Sequence, residues 1–436
     1  MARLWSGRGC LPASRRGTAG HAARAARKSH PRAANRPLAP LLALLSLLGV
    51  CGCTDASPGF LPAARPATAA SPAHSVATLP SSLPSAPAPP DPFRNLLPGM
   101  PPIVAGDVYG ATRAGMLSRR VAHDPALLYV PDSRGSSVTI ISQRTHKIVR
   151  VIHAGQLSQH VTPAYGLRRL YTNSSAANEL VSISPKTARR GRKTSVPRPY
   201  NLYFTPDGNE AVVMSEQHNQ IRFSDPRTFR LIAARSSRGC RGPNHADFSA
   251  NGQYFLVTCE FSGAVLKLST RGHRILGLLR LGKMSMPQDI RISPDGRVFY
   301  VAVMGQNRVS IIDGEHLRTV RSIKTPKEPH GLYPSRNGKM LYVSDRGAGK
   351  VSVISFARRR IVATWTIRGG GSPDMGGVSA DGRMLWLTGR YDGVVYGFDT
   401  AAGRLVAKIK VGGSPHGMAV WPQPGRYSLG HTGNMR

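Results

Sequence analysis

The sequence predicts an all-β chain built as a seven-bladed β-propeller of four-stranded antiparallel blades. Three observations predict it: an apolar triplet that recurs seven times, a hairpin glycine that holds the same spacing, and a four-strand grammar inside each repeat. The triplets are Leu128-Tyr129-Val130, Leu170-Tyr171-Thr172, Ala211-Val212-Val213, Phe255-Leu256-Val257, Phe299-Tyr300-Val301, Leu341-Tyr342-Val343 and Leu385-Trp386-Leu387. Between third residues the steps are 42, 41, 44, 44, 42 and 44. A period of this size marks a solenoid, a propeller or an array.

The wording of one repeat decides among these. From Pro287, Gln288-Asp289-Ile290-Arg291-Ile292 alternates polar and apolar residues, the pattern of a half-buried strand. Ser293-Pro294-Asp295-Gly296 then turns, glycine supplying the positive φ a tight hairpin needs. Phe299-Tyr300-Val301-Ala302-Val303 is a second strand, rich in β-branched and aromatic residues. Val309-Ser310-Ile311-Ile312 and Thr319-Val320-Arg321-Ser322-Ile323 supply the third and fourth. The hairpin glycine recurs at Gly208, Gly252, Gly296, Gly338 and Gly382, each after Asp or Asn. Prolines open the first strand at Pro199, Pro243, Pro287, Pro329, Pro373 and Pro415. Such a blade cannot cover both of its faces alone; stacking blades in a ring covers them and leaves only short edges. Pro415-His416-Gly417-Met418-Ala419-Val420-Trp421 begins an eighth first strand with no blade behind it, so it is expected to close the ring in blade 1, in place of or beside residues 115–118.

Ser293-Pro294-Asp295-Gly296-Arg297, Leu341-Tyr342-Val343-Ser344 and Val351-Ser352-Val353-Ile354 resemble the YVTN-repeat β-propellers, most closely the bacterial YncE-like group, over residues 127–421. The resemblance implies the fold. It implies no single activity, because the shared residues build blades and the fold hosts unrelated functions.

Residues 1–52 read as a basic leader with a lipoprotein-type signal. Nine Lys/Arg and no acid precede an apolar run over residues 41–50, too short to span a bilayer as a helix. Arg15-Arg16 lacks the hydrophobic residues that usually follow a twin-arginine pair. Val50-Cys51-Gly52-Cys53 resembles a lipobox with Cys53 as the lipidated residue. The expected location is extracytoplasmic, anchored to the cell membrane through Cys53, with simple secretion as the alternative. Residues 53–100 are dominated by Ala, Pro and Ser, which cannot bury enough apolar surface to fold, and are expected to form a disordered, proline-stiffened tether. Residues 101–436 are expected to hold the propeller.

Removing the nine positive charges of the leader from the formal +37 leaves +28. Runs such as Ala188-Arg189-Arg190-Gly191-Arg192-Lys193 and Ala357-Arg358-Arg359-Arg360 sit near the outer strands. A field of that sign attracts polyanions. In an exported protein these are anionic lipid headgroups or cell-envelope polymers, or an acidic partner protein, rather than nucleic acid; the ring itself needs no second copy. Of five cysteines, Cys240 and Cys259 lie in blade 4 near one rim, where an oxidising compartment permits a disulfide. No Cys-x-x-Cys-His is present, which excludes a c-type haem attachment.

First strands line a propeller's channel, so the residues just after the opening prolines mark its mouth. The candidates there are His160, Asn201, His245, Asp289, His330, Asp374 and His416. Imidazoles suit transition metals, and carboxylates can orient them. The same residues can equally cap strand ends and hold water. No Gly-x-Ser-x-Gly, His-Glu-x-x-His or P-loop is present, and no catalytic residue is assigned. Two functions compete: a binding or scaffold module for an envelope component or partner, and a lactonase-like or metal-assisted hydrolase working at the channel mouth. Residues 421–434, rich in turn formers, can fold back across a rim and bring His431 near the mouth, or fray.

Overall fold

A computed structural model describes residues 91–436. The calls on the leader, on Cys53 and on most of the tether lie outside these residues. No helix among the described residues is long and apolar enough to cross a membrane.

Seven four-stranded antiparallel sheets form the ring. The inner strands are Ser158–Pro163, Asn201–Phe204, Pro243–Phe248, Pro287–Ile292, Pro329–Pro334 and Pro373–Val378, with Ala419–Trp421 completing the set. This last strand pairs with Leu127–Pro131 in the register Leu127↔Trp421 to Tyr129↔Ala419, so blade 1 takes its inner strand from the far end of the chain. Residues 115–118 do not compete for that place: Leu117 bridges Gly425 instead. The five hairpin glycines have φ between 64° and 80°, the left-handed region the turn demands.

Burial follows the strand order. Inner strands such as Pro287–Ile292 are buried at every residue, while outer strands such as Arg189–Ser195 and Arg318–Lys324 are exposed along most of their length. The basic run at 189–193 therefore lies within the outer strand of blade 2, while Arg358 and Arg359 lie in the turn that leads into the outer strand of blade 6.

The triplets explain why the ring is the stable form. Leu128 and Val130 pack toward blade 7, while Tyr129 between them packs toward blade 2. Phe299 and Val301 face blade 4, and Tyr300 faces blade 6. Leu341 and Val343 face blade 5, and Tyr342 faces blade 7. Strand side chains alternate between sheet faces, so each triplet seals two interfaces at once. The core is thus seven apolar layers, one per blade interface.

Buried acids pin neighbouring inner strands together. Asp247 accepts from the backbone N–H of Ile292 at 2.9 Å, and Asp289 accepts from that of Leu332 at 2.9 Å. Tyr333 repeats the pattern by accepting from Gly376 N–H at 2.7 Å.

Residues 91–100, assigned to the tether by composition, pack against the ring. Leu97 is buried and its N–H bonds Asn251 O at 2.7 Å, and Phe93 packs on the layer between blades 4 and 5. Side chains of Asn251, Gln253 and Arg271 also donate to the carbonyls of Arg94, Asn95 and Pro98, so the segment is held by hydrogen bonds as well as by its apolar residues. Cys240 and Cys259 are joined as a disulfide across blade 4.

Candidate functional site

Each inner strand starts at the rim where its neighbour ends, as in Pro243↔Cys259, Pro287↔Val303 and Pro329↔Asp345. That register gathers the post-proline residues around the axis. His160, His245, His330 and His416 are all buried there, and His431 joins them from the segment that follows the closing strand. Ring centroids are 4.7 Å apart for His160 and His416, 5.3 Å for His160 and His431, 4.9 Å for His245 and His431, and 5.6 Å for His330 and His416.

The five imidazoles divide into two groups. His160, His245 and His431 each present one ring nitrogen, and these three atoms all lie within 4.8 Å of one another. His160 Nδ1 lies 2.9 Å from Tyr200 O. A carbonyl only accepts, so Nδ1 carries the proton and Nε2 is left as a lone pair. Among the described residues, His160 Nε2, both ring nitrogens of His245, and His431 Nε2 have no hydrogen-bond partner. Burial lowers the His160 pKa to about 4 and holds His245 and His431 well below the usual imidazole range. All three are therefore neutral at pH 7, the state that ligates metals.

Asn201 does not contribute to this triad directly. Its side-chain Nδ2 lies 2.9 Å from His431 Nδ1 and donates to it, while its Oδ1 accepts from Leu202 N–H at 3.0 Å, so the His431 proton sits on Nε2 and an ion bound there would have to displace it.

His330 and His416 turn to Asp374. His416 Nδ1 is 2.6 Å from Asp374 Oδ2, and its Nε2 is 3.3 Å from the Tyr200 hydroxyl. His330 Nδ1 lies 3.0 Å from Asp374 Oδ1 without the alignment of a hydrogen bond. Arg346 and Arg390 approach the same carboxylate at 3.5 and 3.4 Å. Burial alone would raise the Asp374 pKa, but His330, His416 and Arg346 hold it well below the usual carboxylate range. Burial lowers His330 to about 3. Asp289, chosen from sequence as a mouth ligand, is spent elsewhere: it binds the backbone N–H groups of Ile290 and Leu332 and pairs with Arg291 at 3.3 Å. It lies 3.7 Å from His431 Nε2, beyond hydrogen-bond reach.

A second ring of residues was missed from sequence. Glu216, Glu260, Met304, Arg346 and Arg390 follow the second strands at steps of 44, 44, 42 and 44, on the same rim as the histidines. Two acids thus face one side of the mouth and two arginines the other. Burial and the neighbouring Glu260 push the Glu216 carboxyl well up. The register itself was the available signal.

The packing is tight at one point. Gly417 bridges His160, and a Cβ at Gly417 would lie 1.9 Å from His160 Cδ2. Glycine there is what lets the imidazole reach the axis.

A closed ring of seven blades with a buried polar cluster on its axis defines the molecule as a channel-lined β-propeller. The profile of the YncE-like β-propellers matches residues 98–424, and the chain belongs to that family. No curated protein matches the sequence. Among solved structures, a functionally unknown protein from Desulfotomaculum acetoxidans is similar at 16% identity and TM-score 0.55, over 68% of this chain and 98% of that one. Kuenenia stuttgartiensis hydrazine synthase is similar at 16% identity and TM-score 0.52, over 65% and 98%. The dihydro-heme d1 dehydrogenase NirN is similar at 14% identity and TM-score 0.53, over 74% and 83%. At these identities the likeness is one of fold.

Proposed function

We propose that this protein is an extracytoplasmic binding module, lipid-anchored through Cys53, whose channel holds a transition-metal ion on His160, His245 and His431. One observation carries the reading: buried, neutral imidazole nitrogens without partners converge on one point. Leaving such atoms bare is costly, because a buried polar group without a partner loses its hydration for nothing. A tetrahedral ion with Zn–N bonds of 2.0–2.1 Å sets its donors about 3.3 Å apart, so donors up to 4.8 Å apart need to close in by as much as about 1.5 Å. Imidazole ligands suit Zn, Cu, Fe and Ni, and the buried setting favours retention over rapid exchange. The test is elemental mass spectrometry on the purified protein, followed by zinc titration against a chromophoric chelator. Stoichiometric metal that is lost in His160→Ala and His245→Ala supports the reading; a protein that stays folded and takes up no zinc, copper or nickel sinks it.

A hydrolytic, lactonase-like role has one observation in its favour, the Asp374–His416–Tyr200 chain beside the triad. A metal-bound water with a carboxylate-oriented imidazole is the equipment of a hydrolase. The near-complete burial of every ring favours holding the ion over admitting a substrate. Lactone turnover that disappears in Asp374→Asn would reverse that preference.

The outer strands suggest where the module sits. Exposed Val149, Val151, Ile232, Leu276, Val320 and Val406 share the outer strands of five blades with basic residues such as Arg150, Arg280, Arg321 and Lys408. This girdle suits an anionic, amphiphilic surface such as a lipid headgroup layer. Sedimentation with anionic but not neutral vesicles, weakening with salt, is the expected result.

A further inference from the structure

The third ligand of the triad does not come from a blade. His431 lies in a short hairpin spanning 423–436 that follows the closing strand. Ser428 bridges Met435, and Leu429 N–H donates to Asn434 O at 2.7 Å within it. The hairpin seats on two inner strands. Gly430 bridges Tyr203, Phe204 N–H donates to Leu429 O at 3.0 Å, and His431 N–H donates to Leu202 O at 2.8 Å. Its far side is held by Asp247, which accepts from Asn434 at 2.8 Å and from Arg436 at 2.7 Å.

Two local features shape the fit of this segment to its seat. His431 has φ of 50°, in the left-handed region that is uncommon for a non-glycine residue. Gly430 has φ of 100°, and a Cβ there would lie 2.4 Å from Leu202 O. The hairpin is thus fitted to one seat, through bonds that are separate from the blade sheets.

We propose that this hairpin is a latch: metal occupancy of the channel and docking of residues 423–436 form one linked equilibrium. This rests on the metal reading of the triad. With the hairpin seated, an ion meets His160, His245 and His431. With it lifted, two blade histidines remain, and an ion with two protein ligands is held far more weakly. Linkage is reciprocal, so an ion that binds the seated form must also hold the hairpin down by the same factor. The consequence is a route for release that leaves the ring intact: whatever lifts the hairpin frees the ion. Free His160 and His245 would then be re-armed by reseating.

The test uses the purified protein, zinc ion alone as the probe, and two readouts: zinc affinity and off-rate by chelator competition, and hydrogen exchange of residues 423–436. In the wild type, zinc should slow exchange in this hairpin beyond its effect on the blades. His431→Ala should weaken zinc and abolish that extra protection. Asn434→Ala removes the bond to Asp247 and touches no ligand, and it should still weaken zinc by about 10–100-fold, the range seen when a residue supporting a ligand is lost. Zinc binding that is unchanged in both variants overturns the latch and leaves a metal site on the blade histidines alone. Tight zinc binding with no added protection of the hairpin also overturns it. No zinc binding by the wild type overturns the metal reading, and the latch with it.

Discussion

Substituting Gly417 by alanine tests the site without removing any ligand. The added Cβ would sit 1.9 Å from His160 Cδ2, 2.5 Å from Cγ and 2.9 Å from Cα. Carbon atoms rest at about 3.5–4.0 Å, so ring and strand must part by more than an ångström. His160 cannot relieve this by a rotamer change alone, because its own Cα is among the clashing atoms. Overpacking of this kind costs about 1–3 kcal/mol, which seven apolar layers can absorb with the fold intact. The ligand geometry has no such tolerance: metal distances hold to within about 0.2 Å. Gly417→Ala is therefore expected to lower the melting temperature by only a few degrees, while zinc affinity falls by at least about tenfold, the lower end for a disturbed ligand support. Chelator competition and thermal melts on the same samples measure both. Wild-type zinc affinity in a folded Gly417→Ala protein would refute the reasoning that places His160 at the centre.

Further outcomes follow from other parts of the ring. Burial raises the Asp345 carboxyl to about 8, so between its unfolded value of about 4 and that value the folded state holds a proton the unfolded state lacks; stability therefore falls as pH rises through this window, and Asp345→Asn should flatten that slope and raise the melting temperature at pH 8. Asp247→Ala removes the pin to Ile292 and strands Arg436, and should cost about 3–5 kcal/mol by denaturant titration. Opening the disulfide in a Cys240→Ala, Cys259→Ala double variant releases a loop of 19 residues and should cost about 3 kcal/mol, and in the wild type Cys240 and Cys259 should resist alkylation until a reductant is added.

Much of the fold could be read because the ring repeats. The triplet residues alternate faces in every blade, so one repeat read well predicts the rest, and the closing role of residues 415–421 follows from a first strand with no blade behind it. The site was legible where it obeys the same register: His160, His245, His330 and His416 meet because inner strands start at one rim. It was not legible where side chains bond across blades. Besides Arg291, Asp289 binds two backbone N–H groups, one of them 43 residues away, which no side-chain pattern displays. His431 lies outside the repeat, so only its position in a turn-rich tail hinted at it. Glu216 and Glu260 were in register but follow the second strands, away from the prolines that directed attention to the first. Phe93 and Leu97 are two anchors in a segment whose average composition says nothing of them.

The pairing of Leu127 with Trp421 also sets an order of events. These partners are 294 residues apart, so the contact that closes the ring is among the last that a chain emerging from a ribosome or an export channel can make. Until residues 419–421 arrive, blade 1 lacks its inner strand and the layers on either side of it are unsealed. His431 follows ten positions later, so the axial cluster is completed only after closure. A chain still emerging presents no finished triad, so the proposed metal site takes shape only after the ring has closed.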